Sequence, residues 1–304
     1  MTTLVVTSSW PRTRDEIAGT FVRTDALHRA QKGARVVVAA PEGPGEARTG
    51  AGLEVVDVAH AGLFGTPGAA ARLLARPHRA LGLGPWSHAV ARVVRDTMPS
   101  SIVAHWLLPA GALACVFGVP VEAIAHGGDV RLLEAMPRAL ARATLESIAA
   151  RATVRAVSPG IADRLRVLAP DLPVVIAPLP LATDVVFDAA RARGARLRAT
   201  FGEELCVVAA RLVPEKRIER VVPRVAARGG RLVLVGDGPT RTRVLAEARS
   251  ARVDVLAVGA LPHEQALGWL AAADEVLAPL ALGEGAPTVV REAQALGVPV
   301  TVLG

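Results

Sequence analysis

The sequence contains no tyrosine, five phenylalanines and four tryptophans in 304 residues, so aromatic side chains make up 3% of it. Without them the stacking platforms that hold single-stranded nucleic acid are missing. The net charge of +7 and pI near 10.9 therefore need another reading. The positive residues are almost all arginines spread along helical stretches such as Arg138 to Arg151 and Arg191 to Arg198. Nucleic acid is disfavoured as a partner, whereas phosphorylated small molecules and a weak peripheral attraction to an anionic membrane are compatible with this charge.

Cysteine is also scarce. The two present, Cys115 and Cys206, sit inside apolar runs and read as small core residues rather than as a disulfide or metal ligands. No zinc-like His/Cys spacing and no Asp-x-Asp pair occurs, so no metal is expected. Nor does any apolar run reach the roughly 20 residues of a membrane span. The nearest approach, Ile102 to Ala125, is broken by His105, Pro109, Pro120 and Glu122 and reads as strand, helix, strand. The start of the chain enters an apolar run at Leu4-Val5-Val6 with no basic region or cleavage site before it, which predicts a cytoplasmic protein.

What is present is alternation. Short β-rich runs at Leu4–Thr7, Arg35–Ala39, Leu53–Val58, Ile102–Ala104, Val121–Ala125, Thr153–Val157 and Val174–Ala177 are separated by helical patterns. After Pro178 and Pro180 the pattern restarts at Leu205–Ala209, Arg231–Val235, Val253–Val258, Glu275–Pro279 and Val298–Val302, with helices expected near 217–228, 240–250, 262–272 and 286–296. Strands alternating with helices make a parallel sheet covered on both faces, and 304 residues exceed what one core usually serves. The paired prolines divide the chain into 1–179 and 180–304, because they can continue neither a helix nor a central strand. A Gly/Pro/Arg-rich stretch, Gly62 to Gly84, is expected to form a loop with a helix.

Ligands of such sheets bind beyond the carboxyl ends of the strands, so the residues that follow each run carry the functional reading. Arg211-Leu212-Val213-Pro214-Glu215-Lys216 follows one strand, Gly236-Asp237-Gly238-Pro239 the next, and Leu282 to Pro287 a third, opening a helix that carries Glu292. Two cations, a glycine turn and a carboxylate beside a helix start suit a diphosphate bearing a sugar. Arginine meets phosphate as a planar fork and lysine as a point charge. The helix start near Ala286 offers amides and a positive dipole end, and Glu292, two turns in, can accept ribose hydroxyls.

These motifs, with Glu284 and Glu292 separated by seven residues, resemble the signature of group 1, or family 4, retaining glycosyltransferases of the GT-B fold. The N-terminal half agrees through Ser8-Ser9-Trp10-Pro11, Gly19 to Arg23, His105 to Pro109 and His126-Gly127-Gly128-Asp129-Val130. The resemblance covers nearly the whole chain. It implies an α/β fold of two doubly wound Rossmann-like lobes facing a central cleft, an acceptor-side lobe at 1–179 and a nucleotide-sugar-binding lobe at 180–304.

By the same resemblance Arg211 and Lys216 hold the donor diphosphate, Glu292 the ribose, and Glu284 the transferred sugar near its reacting face. Gly19, Gly236, Gly285, Ala286 and Pro287 line the donor, His126 faces the sugar and is catalytic with Glu284, and His105 and Asp129 lie on the acceptor side. The implied activity is metal-independent transfer of a hexosyl or other glycosyl group, with retention and by front-face substitution. The donor is a nucleotide-diphosphate sugar, with no cofactor. The acceptor is a glycan or lipid-linked molecule in cell-surface polysaccharide or glycolipid synthesis, met at the inner face of the membrane. A sugar-nucleotide epimerase of the same fold and an inactive nucleotide-sugar-binding protein are the alternatives. Family members usually continue past the strand at Val298–Val302 with a Gly-rich loop and further helices, whereas this sequence stops at Gly304, so a shortened C-terminal lobe is expected.

Overall fold

Each apolar run read above as a strand is a strand in the computed structural model. It describes all residues except 12, 14, 15, 17, 18, 42–48, 51, 65–71, 73–75, 203, 281–286 and 304, and the side chains of 49 and 50. The chain divides into two units, Met1–Pro180 and Leu181–Gly304, the change falling within the proline-containing segment. Part of the Gly62 to Gly84 stretch, 65–71 and 73–75, lies outside the described residues; its end is a 3-10 helix, Pro77–Gly82, leading into the helix Leu83–Thr97.

The first unit holds β1 (Thr2–Val6), β2 (Arg35–Ala40), β3 (Thr49–Gly50), β4 (Leu53–Asp57), β5 (Ser101–His105), β6 (Val121–Ala125), β7 (Ala152–Ala156) and β8 (Val174–Ile176) in the order β3-β4-β2-β1-β5-β6-β7-β8. All neighbours are parallel apart from the short β3, which pairs antiparallel to β4. Strand β3 was not among the sequence expectations, since two residues show no periodicity. The central runs β1 and β2 are apolar over most of their length because both faces are buried, whereas the outer β4 and β8 are partly exposed. Leu4, Val6, Ile102 and Ala104 join one core, and Val5 and Val103 join the other. The chain builds outward from β1 on one side, then returns to the other side with β5, so the strand order reverses between β1 and β5.

The second unit repeats the plan in five parallel strands, β9 (Leu205–Ala209), β10 (Arg231–Val235), β11 (Asp254–Gly259), β12 (Glu275–Pro279) and β13 (Val300–Leu303), ordered β11-β10-β9-β12-β13. Leu205 and Val207 face one core, Cys206 and Val208 the other. The order reverses between β9 and β12. Cys206 is fully buried and Cys115 half-buried, both thiols pushed up by burial, so they fill space as expected.

Charge at the amino edge of this second sheet is locked into pairs. Glu275, the first residue of β12, is 3% exposed and accepts from Arg224 Nε at 3.1 Å, Arg228 Nη1 at 3.1 Å and the Thr301 hydroxyl. Asp274 beside it accepts from the Leu205 amide at 2.9 Å and pairs with Arg198.

Candidate active site

Arg211 and Lys216 lie in the loop leaving the carboxyl end of β9, on one flank of the reversal in strand order. This loop is zipped to the one after β10. Ala210 N–H donates to the Val235 carbonyl, Leu212 N–H to the Asp237 carbonyl and Thr240 N–H to the Leu212 carbonyl, each at 3.0 Å. Backbones this close leave no room for a Cβ. At Gly236 it would overlap the carbonyl of Ala210, and at Gly238 that of Leu212, and both glycines have positive φ, 131° and 154°. Gly236, expected to line the donor, thus has a packing role that seats the Arg211 loop. The Arg211 side chain is exposed, and Lys216 ends a single 3-10 turn, Pro214–Lys216.

The chain leaving β12, on the other flank, enters the helix Thr288–Ala295 through Pro287. The start expected near Ala286 moves to Thr288. A residue preceding proline is driven towards extended backbone, and Pro287 itself, at φ −63° and ψ 153°, stands just ahead of the helix. Glu292 is therefore about one turn in rather than two. Glu284, Gly285 and Ala286 lie outside the described residues. Glu292 is 6% exposed, and its Oε1 is 2.6 Å from His263 Nε2. Burial would lower the His263 pKa, but the hydrogen bond and charge of Glu292 outweigh it and raise it. His263 opens the helix after β11. Nothing in its spacing marks it, since its partner is 29 residues away.

In the first unit the residues after β1, β5 and β6 converge. Gly19, at φ 78°, precedes the helix Thr20–Gln31, and a Cβ there would lie 2.8 Å from the backbone N and Cα of Trp10. Its bareness lets the loop after β1 pack against the helix start. His126, just beyond β6, is surrounded by rings: Phe21 at 4.9 Å, Trp106 at 5.0 Å and His105, stacked at 5.1 Å with 17° between planes. His126 Nε2 is 3.0 Å from His105 Nδ1. Burial, and then the neighbouring His105, holds the His126 pKa well below its ordinary value, so the ring is neutral at pH 7.

His105 and Asp129 do different work from the acceptor contact expected of them. His105 has no exposed surface and backs His126 from within. Asp129 is 3% exposed. Its Oδ2 accepts the Leu107 amide at 2.7 Å, and its Oδ1 accepts the amides of His126, Gly127 and Val130 at 3.1, 2.9 and 3.0 Å. The carboxylate ties the loop after β6 to the loop after β5 and so fixes where His126 stands.

An ionic chain behind His105, buried at Asp25 and half-buried at Arg29 and Glu122, was not legible in the sequence. Asp25 Oδ2 lies 3.4 Å from His105 Nε2 and accepts from Arg29 Nε at 2.8 Å. Arg29 Nη2 reaches Glu122 at 2.7 Å, and Arg155 Nη1 reaches the other Glu122 oxygen at 3.0 Å. Arg155 also donates to the carbonyls of Ala177 at 2.8 Å and Pro178 at 2.6 Å, pinning the last segment of this unit. The Asp25/Arg29 spacing of four is the one sign of the chain that a sequence could offer.

Two sheets that each carry their polar loops where strand order reverses define a doubly wound α/β protein, a class whose ligands bind at such points, and comparison with known proteins narrows it. Residues 204–303 match the family profile of the group 1 glycosyl transferases. TuaC of Bacillus subtilis (strain 168), assigned as a teichuronic acid biosynthesis glycosyltransferase, is 28% identical over 239 residues, which is 74% of this chain and 58% of that protein. The chain thus spans little more than half the length of this relative. Sucrose-phosphate synthase from Thermosynechococcus elongatus superposes with a TM-score of 0.75 at 19% identity, over 99% of this chain and 81% of that one. Anabaena Alr3699/HepE, solved in complex with UDP-glucose, gives 0.66 at 17% identity, over 99% and 80%. The profile match over residues 204–303 and the likeness to a curated glycosyltransferase support the group 1 glycosyltransferase resemblance that the motifs carried, and the solved structures show the fold, GT-B. No described helix is long and apolar enough to cross a membrane.

Proposed function

We propose that the protein transfers a glycosyl group, with retention and without a metal, from a nucleotide-diphosphate sugar to a glycan or lipid-linked acceptor on the cytoplasmic side of the membrane. The observation that carries this reading is the second sheet. The loop with Arg211 and Lys216 and the helix with Glu292 flank the point where its strand order reverses. The likeness to TuaC supports a cell-surface polysaccharide acceptor, and that to HepE a nucleotide-sugar donor.

In this reading Arg211 and Lys216 meet the diphosphate, together with the helix start beyond Pro287, where amides have no partner inside the helix. Glu292 Oε2 takes the ribose, its Oε1 being committed to His263. In the transfer step an acceptor hydroxyl oxygen bonds to the anomeric carbon on the face the phosphate leaves. The bond from that carbon to the phosphate oxygen breaks, and the hydroxyl proton passes to the departing phosphate. The charge gathering on the diphosphate is what Arg211 and Lys216 stabilise. Glu284 is assigned to the reacting sugar.

The test is a panel of UDP- and GDP-sugars followed by thermal shift and by mass spectrometry of products with glycan acceptors. A donor at 100 times its Kd should stabilise the fold by about 2.7 kcal/mol. Lys216→Ala should weaken the nucleotide diphosphate by about 1.5–3 kcal/mol, if a charge-assisted hydrogen bond is lost, and the nucleoside far less. A flat response to every nucleotide, or an epimerised sugar-nucleotide with no glycoside, overturns the reading.

A further inference from the structure

His126 is neutral, and a neutral imidazole presents one donor and one acceptor whose places depend on the tautomer. Its Nε2 is taken up by His105 Nδ1 at 3.0 Å, so Nδ1 is the nitrogen it can offer a ligand. Whether that nitrogen donates or accepts is decided deeper in the unit. His105 Nε2 is buried without a well-formed hydrogen bond and looks onto Asp25 Oδ2 at 3.4 Å. Arg29 Nε holds the same carboxylate oxygen at 2.8 Å.

A lone pair on His105 Nε2 would face a carboxylate in a site closed to water, where such repulsion is strong. A proton there is attracted instead. A neutral His105 protonated on Nε2 has a bare Nδ1, which can only accept. His126 must then donate from Nε2, and its Nδ1 is left with the lone pair.

We propose that Asp25 is a positioning residue which, through His105, fixes His126 as the Nε2–H tautomer, so that His126 meets a sugar hydroxyl as an acceptor at Nδ1. The sugar as ligand rests on the function proposed above; the tautomer does not. The groups facing this relay are Asp25 and Arg29 from the helix Thr20–Gln31, Glu122 from β6 and Arg155 from β7. With its two carboxylates and two arginines the relay has no net charge to pull a proton off either ring. Arg29, bridging Asp25 to Glu122, keeps Asp25 ionised and aimed at His105.

The experiment is long-range ¹H–¹⁵N NMR of the histidine ring nitrogens in the ligand-free protein at pH 7.5. His105 and His126 should both show protonated Nε2 and bare Nδ1. In Asp25→Asn the carboxamide can turn its NH₂ to His105 Nε2, so His126 should shift to Nδ1–H or to a mixture, whereas Asp25→Glu should keep the parent pattern. With an active donor and acceptor, Asp25→Asn should lower kcat by about 10- to 100-fold, as expected when a polar group presents the wrong partner, and leave nucleotide Kd unchanged. His126 as Nδ1–H in the parent, or an unchanged tautomer in a folded Asp25→Asn, overturns the proposal. If Asp25→Asn does not fold, the parent spectrum decides alone. If no sugar-nucleotide is turned over, the proposed function fails while the tautomer result stands.

Discussion

At the scale of single residues, the assigned side chains differ in how much freedom the fold leaves them. Lys216 is one of two lysines in a chain with 35 basic residues, so a compact point charge stands where this protein otherwise uses arginine. Glu292 is constrained by His263. Because the fold raises the His263 pKa, the pair's contribution to stability is fully present below the ordinary histidine value of about 6.5. It fades as pH rises through the higher folded value. Glu292→Gln removes both the charge and the strong acceptor, so the His263 pKa, followed by ring proton shifts, should fall below its parent value. An unchanged titration would show that the two side chains are not paired in solution. The positions of Arg211, Lys216 and Glu292 beyond the ends of strands were legible because each sits in a motif next to a strand; the roles given them are those proposed above. Asp25, Arg29, Glu122 and Arg155 were not, since 93 residues separate Arg29 from Glu122 and only the folded sheet brings them together.

At the scale of elements, the site depends on how loops are seated. Two glycines join the loops after β9 and β10. The sequence marks Gly236 and Gly238 as a turn, but it cannot show that the carbonyls of Ala210 and Leu212 occupy the space where side chains would be. Gly236→Ala should therefore separate the two loops and displace Arg211. The expected outcome is nucleotide-diphosphate affinity reduced about tenfold or more, as loss of a charged contact gives, while nucleoside affinity changes less. Calorimetry with both ligands checks this, and equal affinities in parent and variant would remove the glycine from the site. The helix starts expected near 240, 262 and 286 were legible to within two residues, the last shifted by Pro287, whereas the stretch expected from 217 opens as a 3-10 segment, Ile218–Val221, and becomes α-helix only at Val222. A motif such as His126-Gly127-Gly128-Asp129 shows which loop matters. It does not show that Asp129 is spent on four backbone amides.

At the scale of the whole molecule, each sheet apart from β3 was legible from the alternation of short apolar runs with helical stretches, because central strands buried on both faces are apolar over most of their length. In the second unit the carboxyl edge carries the assigned ligand groups and the amino edge carries the Glu275 and Asp274 pairs. Burial works against the charge on Glu275, yet its hydrogen bonds from Arg224 and Thr301 hold its carboxyl below the usual range. That stability is present above the ordinary carboxylate value and is lost as pH falls through the lower folded one. Glu275→Gln should cost about 1–3 kcal/mol in chemical denaturation, leaving two arginines short of a partner, with nucleotide Kd unchanged. A matching loss of affinity would mean the two edges are not independent.

The lock on Glu275 bears on how such a protein can change its chemistry. Its ties join β12 to the helix Val222–Arg228 and to β13, at the amino edge of the sheet, opposite the loops assigned above to the donor. On the function proposed above, substitutions in the chain beyond Pro279 should be able to redirect the choice of sugar without drawing on the contacts that hold the strands in order. A library that varies that segment while keeping Glu275, Arg224, Arg228 and Thr301 has a scaffold already built for trying out new donors.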